Sequence, residues 1–195
     1  MSEQDRNKWN QRYAEDSYRK NNPVTLLENW LPELPMGRAL DLACGAGRNA
    51  LFLAQAGFQV DAIDISVEGL KQARQKAETR GLEINWIEQD LDQFYPFDTA
   101  YDLIIVMWYV NLALIIRLCD CLAPGGYLLS EEHLITDAEV IGPTNSDYRV
   151  AAGELCEAVS GLEVLLFEES IEVIPEGGKV ASARIVARKP TLSKK

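Results

Sequence analysis

Two glycines and an acid at the ends of two apolar segments have the spacing of a nucleotide-binding site. Gly45 and Gly47 lie between an apolar segment and a helical one, and with Ala50 they fit the pattern G-x-G-x-x-A. Glycines at such a turn let a ligand approach the backbone, and the following helix N-terminus favours an anionic group. Asp64, 19 residues after Gly45, could hydrogen-bond a ribose diol. These residues predict a site for an adenosine-type cofactor, either NAD or S-adenosylmethionine.

Asp41 distinguishes these two cofactors. It lies at the end of the first apolar segment, where a carboxylate would repel the pyrophosphate of NAD. The same carboxylate would attract the ammonium group of S-adenosylmethionine. Alternatively, Asp41 could accept hydrogen bonds from local backbone N–H groups, as aspartates often do. We therefore favour S-adenosylmethionine and keep a local structural role for Asp41 as the alternative.

Apolar and polar residues alternate with two periods along the chain, which is typical of strands and helices layered around a parallel sheet. A turn at 123–126 should end one helix and start the next strand, and a turn at 175–178 predicts a terminal antiparallel hairpin. The predicted strands are 38–42, 59–63, 84–88, 101–106, 126–130, 163–173 and 180–188. The predicted helices are 48–56, 67–80, 110–122 and one around 153–159. The sequence thus predicts an α/β fold with a doubly wound, mostly parallel seven-stranded sheet.

The length of 195 residues predicts a single domain over 1–195. Its expected parts are an N-terminal helical cap, a cofactor-binding core, an acceptor-side loop, helix and hairpin, and a tail. These parts span 1–35, 36–135, 136–188 and 189–195 respectively.

Composition excludes several classes of partner. A formal net charge of -11 argues against nucleic acid, because binding phosphates needs a cationic surface. The N-terminal residues are polar and no stretch approaches the roughly eighteen apolar residues of a membrane span, so we expect a cytoplasmic protein with no membrane partner. The four cysteines lack the spacing of zinc ligands, so we expect no metal.

Several segments resemble one family in the same order along the chain. Residues 41–49 look like motif I of class I S-adenosylmethionine-dependent methyltransferases, and 60–66 look like its second strand with the ribose-binding acid. The segments 88–91, 101–104 and 122–127 continue the resemblance. The run Gly47 to Ala50 and the short chain are most similar to the small tellurite-resistance (TehB-like) methyltransferases.

This resemblance implies S-adenosylmethionine as cofactor and S-adenosylhomocysteine as product. It implies in-line transfer of the methyl group to a small-molecule acceptor, such as a thiol or a metalloid oxyanion. The cofactor-binding residues that it implies are Asp41, Ala43, Gly45, Gly47 and Asn49, then Asp64 and Ile65 at the ribose, Asp90 and Leu91 at the adenine, and Met107 nearby. Leu91 and Met107 could equally be core residues, since apolar side chains are usually interior.

Three further side chains are candidates for the site. Tyr13 shares a helix face with Trp9, in a segment that often folds over the cofactor in this family, so it could close the pocket or anchor the helix. Arg19 could pair with the methionine carboxylate or be an ordinary surface arginine. His133, the only histidine, follows the fifth strand and could act as a base toward the acceptor or be an ordinary strand-end residue.

Two other functions remain open. An NAD-binding oxidoreductase would explain the glycines and Asp64 but not Asp41 or the terminal hairpin. A non-catalytic S-adenosylmethionine-binding protein is also compatible, because methyl transfer needs no invariant catalytic side chain.

Overall fold

The computed structural model describes residues 3–15, 21–93, 100–174 and 177–191. The helices in these ranges are α1 (Glu3–Ala14), α2 (Thr25–Trp30), α3 (Arg48–Gln55), α4 (Val67–Arg80), α5 (Leu112–Asp120) and α6 (Glu154–Ala158). The strands are β1 (Arg38–Leu42), β2 (Gln59–Asp64), β3 (Asn85–Glu88), β4 (Tyr101–Met107), β5 (Leu122–His133), β6 (Glu163–Val173) and β7 (Lys179–Arg188). Short 3₁₀ turns occur at Leu31–Glu33, Leu91–Gln93 and Ser146–Tyr148.

The strands form one seven-stranded sheet in the order β3-β2-β1-β4-β5-β7-β6. Strands β1 to β5 pair in parallel, whereas β7 runs antiparallel to both β5 and β6. The predicted α/β fold with its antiparallel C-terminal hairpin is therefore confirmed. The strand order reverses between β1 and β4, and in open α/β sheets ligands bind outside the carboxyl ends of the strands at this point.

Both faces of the sheet centre are covered, which explains why β1 and β4 are almost continuously apolar. Helices α2, α3 and α4 contribute Leu27, Leu53 and Leu70 to the core on one face. Helices α5 and α6 contribute Leu118 and Leu155 to the core on the other. None of the helices described is long and apolar enough to cross a membrane.

Local capping explains which helix boundaries the sequence predicts correctly. The Ser66 hydroxyl accepts the N–H of Gly69 (3.1 Å) at the start of α4, and Gly81 ends that helix in the left-handed conformation, as predicted. The predicted helix over 110–122 is wrong at both ends. The Asn111 side chain accepts the N–H of Leu114 (2.9 Å), so α5 begins at Leu112 and ends at Asp120.

Strand β5 differs most from its prediction. The turn at 123–126 was expected to precede a strand over 126–130, but β5 already begins at Leu122 and runs to His133. Leu122 lies opposite Tyr101, whereas Tyr127 lies opposite Leu103. The four residues 123–126 therefore bulge out of register with β4 inside the strand. Beyond the bulge, β5 pairs with β7 as far as His133. The longer strand brings Glu131 and His133 to the edge of the sheet where a ligand would bind.

Candidate functional site

A cleft lies between α1 and the carboxyl ends of β1, β2 and β4. Seven of the residues predicted to bind the cofactor line it: Tyr13, Ala43, Gly45, Asn49, Asp64, Ile65 and Met107. We call it the glycine cleft. Because the chain reverses its strand order at this edge, residues from separate segments meet here around one opening.

Strained backbone marks the ends of two central strands. Ala43 after β1 has φ 54° and Trp108 after β4 has φ 63°, in the left-handed region that residues with a side chain rarely adopt. Both residues line the glycine cleft. Such conformations cost about 1–3 kcal/mol each and cluster at binding sites, because the surrounding structure must hold them in place.

Tyr13 lies directly over Gly45. A Cβ atom built on Gly45 would lie 2.1 Å from the Tyr13 hydroxyl oxygen, and φ at Gly45 is 55°, so only glycine fits this position. The Tyr13 ring stacks with Trp9 at 6.0 Å between centroids, and Tyr13 is buried. Helix α1 therefore covers the cleft, and four aromatic side chains line it: Trp9, Tyr13, Trp108 and Tyr109.

Asp64 connects the loop after β1 to the end of β2. Its Oδ2 accepts the N–H of Gly45 (2.7 Å) and its Oδ1 accepts the N–H of Ser66 (2.8 Å). Burial raises the pKa of Asp64 to about 6, although these backbone donors oppose the rise. Each carboxylate oxygen keeps a further lone pair, so Asp64 can accept an additional hydrogen bond from a ligand in the cleft.

Asp41 is a buried acid with one oxygen that no described residue satisfies. It is 1% exposed, and its Oδ2 has no hydrogen-bond partner among the residues described. Burial raises the pKa of Asp41 to about 8, while the nearby Arg48 and the backbone N–H of Ala50 lower it. The hydrogen bond from Ala50 agrees with the alternative local role predicted for Asp41. The unsatisfied oxygen nevertheless leaves it able to pair with a cationic group.

Four predicted cofactor residues do not line the glycine cleft: Asp41, Gly47, Asp90 and Leu91. A Cβ on Gly47 would lie 2.7 Å from the Trp86 ring and 2.8 Å from the Ala73 Cβ, so Gly47 allows α4 to pack closely. The Asp90 Oδ1 accepts the N–H of Asp92 (3.0 Å), and Leu91 is fully buried in the core. A cofactor-binding role for these residues therefore stays a prediction, and packing explains Gly47 and Leu91.

Two predicted residues that line the cleft also connect elements. The Asn49 Oδ1 accepts the N–H of Val24 (3.0 Å), which fixes the start of α2 against α3. Met107 is 6% exposed and packs in the core on the α2 face. Both the core role and the cleft position predicted for Met107 are therefore present in the structure.

His133 contacts the Trp108 side chain. The two ring centroids are 4.5 Å apart with the planes inclined at 47°. His133 is not among the residues that line the glycine cleft, so its role as a base stays a prediction, and its contact with Trp108 supports that side chain. Arg19 and the turn residues Pro175 and Glu176 lie outside the described residues.

A second cleft, which the sequence did not predict, lies between α2 and strands β5 to β7. Its lining includes Trp30, Glu131, Leu166, Glu168, Glu172 and Arg184, and we call it the arginine cleft. Arg184 Nε donates to Glu131 (2.8 Å), and Nη2 donates to Glu172 (3.0 Å). The available signal was that the first strand of the predicted hairpin carries acidic residues and the second carries basic ones, and Glu168 lies directly opposite Arg184.

The two clefts share two side chains, Arg48 and Trp108. Trp108 is fixed by its backbone N–H, which donates to the carbonyl of Glu131 (2.8 Å). Trp108, the strained residue directly after β4, thus lines both openings at the sheet edge.

The sequence of the central region matches a known family. Residues 39–126 match the family described as "Methyltransferase domain". A ubiquinone biosynthesis O-methyltransferase of Methylocella silvestris is 29% identical over 153 residues, which are 68% of this chain and 60% of that protein. The chain spans less than two thirds of the length of the curated relatives that it matches.

Solved structures show the same fold. TehB from Haemophilus influenzae is 24% identical, with a TM-score of 0.78, covering 91% of this chain and 66% of TehB. The N-methyltransferase NodS from Bradyrhizobium japonicum, in complex with S-adenosylhomocysteine, is 18% identical with a TM-score of 0.68, covering 93% of this chain and 98% of NodS. The predicted resemblance to class I methyltransferases is confirmed, and the TehB-like type is matched at the level of the fold.

Proposed function

Because residues 39–126 match the family described as "Methyltransferase domain", we propose that this protein transfers a methyl group from S-adenosylmethionine to a small-molecule acceptor. The observation that carries the proposal is the buried Asp41 carboxyl group with its unsatisfied oxygen, next to the glycine loop. A buried acid of this kind favours a cationic ligand. S-adenosylmethionine carries two cationic groups, an ammonium and a sulfonium.

The residues of the glycine cleft, together with the buried Asp41 beside the glycine loop, fit this cofactor. Asp64 accepts hydrogen bonds from the ribose hydroxyls, and Asp41 attracts the ammonium group. The N-terminus of α3, which begins at Arg48, favours the methionine carboxylate. The aromatic lining favours the sulfonium by cation–π attraction, on the order of 1 kcal/mol. S-adenosylhomocysteine, which lacks the sulfonium charge, is the expected product.

The bound cofactor supplies the electrophilic methyl group, so the protein's task is to align the acceptor and exclude water. The cover that Tyr13 and Trp9 form over Gly45 supports exclusion of water. In-line displacement needs no general base when the acceptor is already nucleophilic, so a site without His133 is sufficient. Thiols, metalloid oxyanions and small amines are the acceptor classes to be screened. The net charge of -11 supports a small molecule over a nucleic acid.

Isothermal titration with S-adenosylmethionine, S-adenosylhomocysteine and NADH under identical conditions tests the cofactor. We expect micromolar binding of the first two and no heat with NADH. Binding of NADH alone would overturn the proposal and favour the oxidoreductase. Asp102→Asn is a control variant that should bind all three ligands as the unchanged protein does. It alters a carboxylate that accepts the N–H of Arg38 (2.9 Å) at the other end of the strands.

Transfer itself is tested with S-adenosylmethionine labelled in its methyl group. Label should appear in at least one member of the acceptor panel, with S-adenosylhomocysteine formed in equal amount. Cofactor binding without transfer to any acceptor would instead support a non-catalytic cofactor-binding protein.

A further inference from the structure

The arginine cleft adjoins the glycine cleft. The two openings share Arg48 and Trp108, so a molecule in the arginine cleft lies beside one in the glycine cleft. Methyl transfer requires that donor and acceptor be held side by side in the correct orientation. The position of the arginine cleft therefore suits the second reactant of the proposed reaction.

The charges around the arginine cleft are unequal. Its lining holds two arginines, Arg48 and Arg184, against three glutamates, Glu131, Glu168 and Glu172, which gives a net formal charge of -1. Arg184 is engaged by Glu131 and by both oxygens of Glu172. Glu168 Oε2 is 3.9 Å from Arg184 Nη1, too far for a hydrogen bond. Glu168 thus forms the longest of the ion pairs around Arg184, and its side chain, which is 50% exposed, remains accessible to a ligand.

The other walls of the cleft suit an organic group. The indoles of Trp30 and Trp108 and the side chains of Leu26 and Leu166 line it. Aromatic faces attract cations and pack against apolar groups. An inorganic oxyanion would gain little from these walls and would be repelled by the surplus carboxylate.

We propose that the arginine cleft holds the methyl acceptor, and that the acceptor is a small organic amine with an aromatic or aliphatic body. This inference rests on the proposed function, and it selects one of the three acceptor classes. The carboxylates of the cleft favour the ammonium form of the amine, and its body packs against the indoles of Trp30 and Trp108.

The reaction moves positive charge toward the acidic cleft. The amine first loses a proton to solvent, and its nitrogen lone pair then forms the C–N bond as the C–S bond breaks. The electrons of the C–S bond return to sulfur, so the sulfonium becomes a neutral thioether and the nitrogen becomes positive. The product ammonium then releases a proton to solvent. Carboxylates beside the developing charge stabilise it in the transition state.

A matched series of ligands tests the charge preference directly. Phenethylamine, the neutral 2-phenylethanol and the anionic phenylacetate share one body and differ in the charge of the polar group. Binding of each to protein saturated with S-adenosylhomocysteine can be followed by ligand-observed NMR. We expect the amine to bind about tenfold more tightly than the other two. Equal binding of all three, preference for phenylacetate, or no binding of the amine would overturn the inference.

Two variants on one strand locate the site. Glu168→Gln removes the surplus carboxylate, whereas the control Glu163→Gln alters an exposed acid that pairs with Arg188 Nη2 (2.7 Å) outside the cleft. We expect Glu168→Gln to raise KM for phenethylamine about tenfold, with the Kd for S-adenosylmethionine unchanged. Glu163→Gln should leave both constants unchanged. An unchanged KM in Glu168→Gln would place the acceptor elsewhere.

Leu166→Trp provides an independent check because it fills the cleft without changing charge. We expect it to abolish binding of phenethylamine while S-adenosylhomocysteine still binds; retained amine binding would exclude this cleft.

Different results would contradict the inference and the proposed function. Absence of S-adenosylmethionine binding defeats the proposed function, whereas binding of the cofactor with methylation of selenite, tellurite or a thiol but of no amine defeats only the inference.

Discussion

The two clefts share the side chains of Arg48 and Trp108 but are built in different ways. The glycine cleft is formed largely by backbone, with left-handed residues at Ala43 and Gly45 and a buried carboxylate, Asp64, that accepts backbone N–H groups. The arginine cleft is formed by long side chains, and its geometry depends on ion pairs around Arg184. Backbone fixes atoms more tightly than exposed side chains do, since each long side chain has several rotatable bonds.

This difference in construction coincides with which part of the chain matches the methyltransferase domain family. Residues 39–126 contain all the left-handed positions named for the glycine cleft, which are Ala43, Gly45 and Trp108. The acidic residues and Arg184 of the arginine cleft all lie after residue 126. A backbone-built site for a common cofactor can be kept across a family, while a side-chain-built site can change with the substrate. The following changes test this contrast.

The largest effect is expected for Gly45→Val. A side chain at this left-handed position would overlap Tyr13, whose hydroxyl oxygen would be 2.1 Å from the new Cβ. We expect the affinity for S-adenosylmethionine, measured by calorimetry, to fall by more than about 100-fold. The free energy of unfolding, measured by thermal unfolding, should fall by about 2–4 kcal/mol. Gly161→Ala is the control, because no heavy atom lies within 4 Å of its Cβ. Tight binding by Gly45→Val would mean that this loop does not form the cofactor site.

Asp64→Ala should be the next most severe. It leaves the buried N–H groups of Gly45 and Ser66 without their acceptor, so we expect the free energy of unfolding to fall by about 2–3 kcal/mol. Loss of the ribose contact should weaken cofactor binding by about one to three kcal/mol as well. Asp102→Ala removes a carboxylate that accepts a backbone N–H away from the cleft, and it should lower stability alone. Unchanged affinity in Asp64→Ala would refute the ribose assignment.

Asp41 should make cofactor binding depend on pH. Its pKa is about 8 in the folded protein, against about 3.9 in an unfolded chain, so the folded state holds an extra proton between these values. This contribution to stability is fully present below pH 4 and is lost as the pH rises through 8. A cationic ligand favours the ionised form, so binding of S-adenosylmethionine at pH 7 should release protons.

Calorimetry at pH 7 in two buffers of different ionisation enthalpy measures this release. Asp64, with a pKa of about 6, is mostly ionised at that pH and contributes little. Asp41→Asn should abolish most of the proton release and weaken binding. The same release in Asp41→Asn as in the unchanged protein would show that another group titrates.

The smallest effect is expected for His133→Gln. His133 contacts Trp108 and is not part of the lining of either cleft, so we expect kcat to change by less than about threefold. Removing a general base would instead lower kcat by about 10²- to 10⁴-fold. A steady-state assay with the best acceptor separates the two, and a loss in the larger range would restore the role as base.

Local signals made much of the cofactor side predictable. Ser66 and Gly81 define the ends of α4, and strand β1 over Arg38–Leu42 places three apolar residues and Asp41 before a glycine turn. Each of these features depends on residues close in sequence, so pattern and capping chemistry suffice. Asp41 and Asp64 follow from the same local pattern, because the ends of adjacent parallel strands meet at one edge.

Long-range packing explains what the sequence did not predict. Glu131 and Arg184 are 53 residues apart, and their hydrogen bond depends on the pairing of β5 with β7. The packing role of Gly47 depends on Trp86 from another strand, and its φ of 78° fits a ligand loop equally well. The early start of β5 depends on Leu122 pairing beside Tyr101. A proline and two glycines lie just after Leu122 in the sequence, and they predicted a turn there instead of a strand.

The bulge at residues 123–126 also determines where this chain can change in length. Beyond it, Glu131 lies in the wall of the arginine cleft, whereas the adjacent Glu132 is fully buried on the opposite face. A deletion between Tyr127 and Glu131 would exchange these two faces, exposing apolar residues and burying cleft residues. The bulge is already out of register with β4, so an insertion there can be absorbed without disturbing the strand that follows. Insertions and deletions in related chains should therefore accumulate before Tyr127 and be absent from the rest of β5.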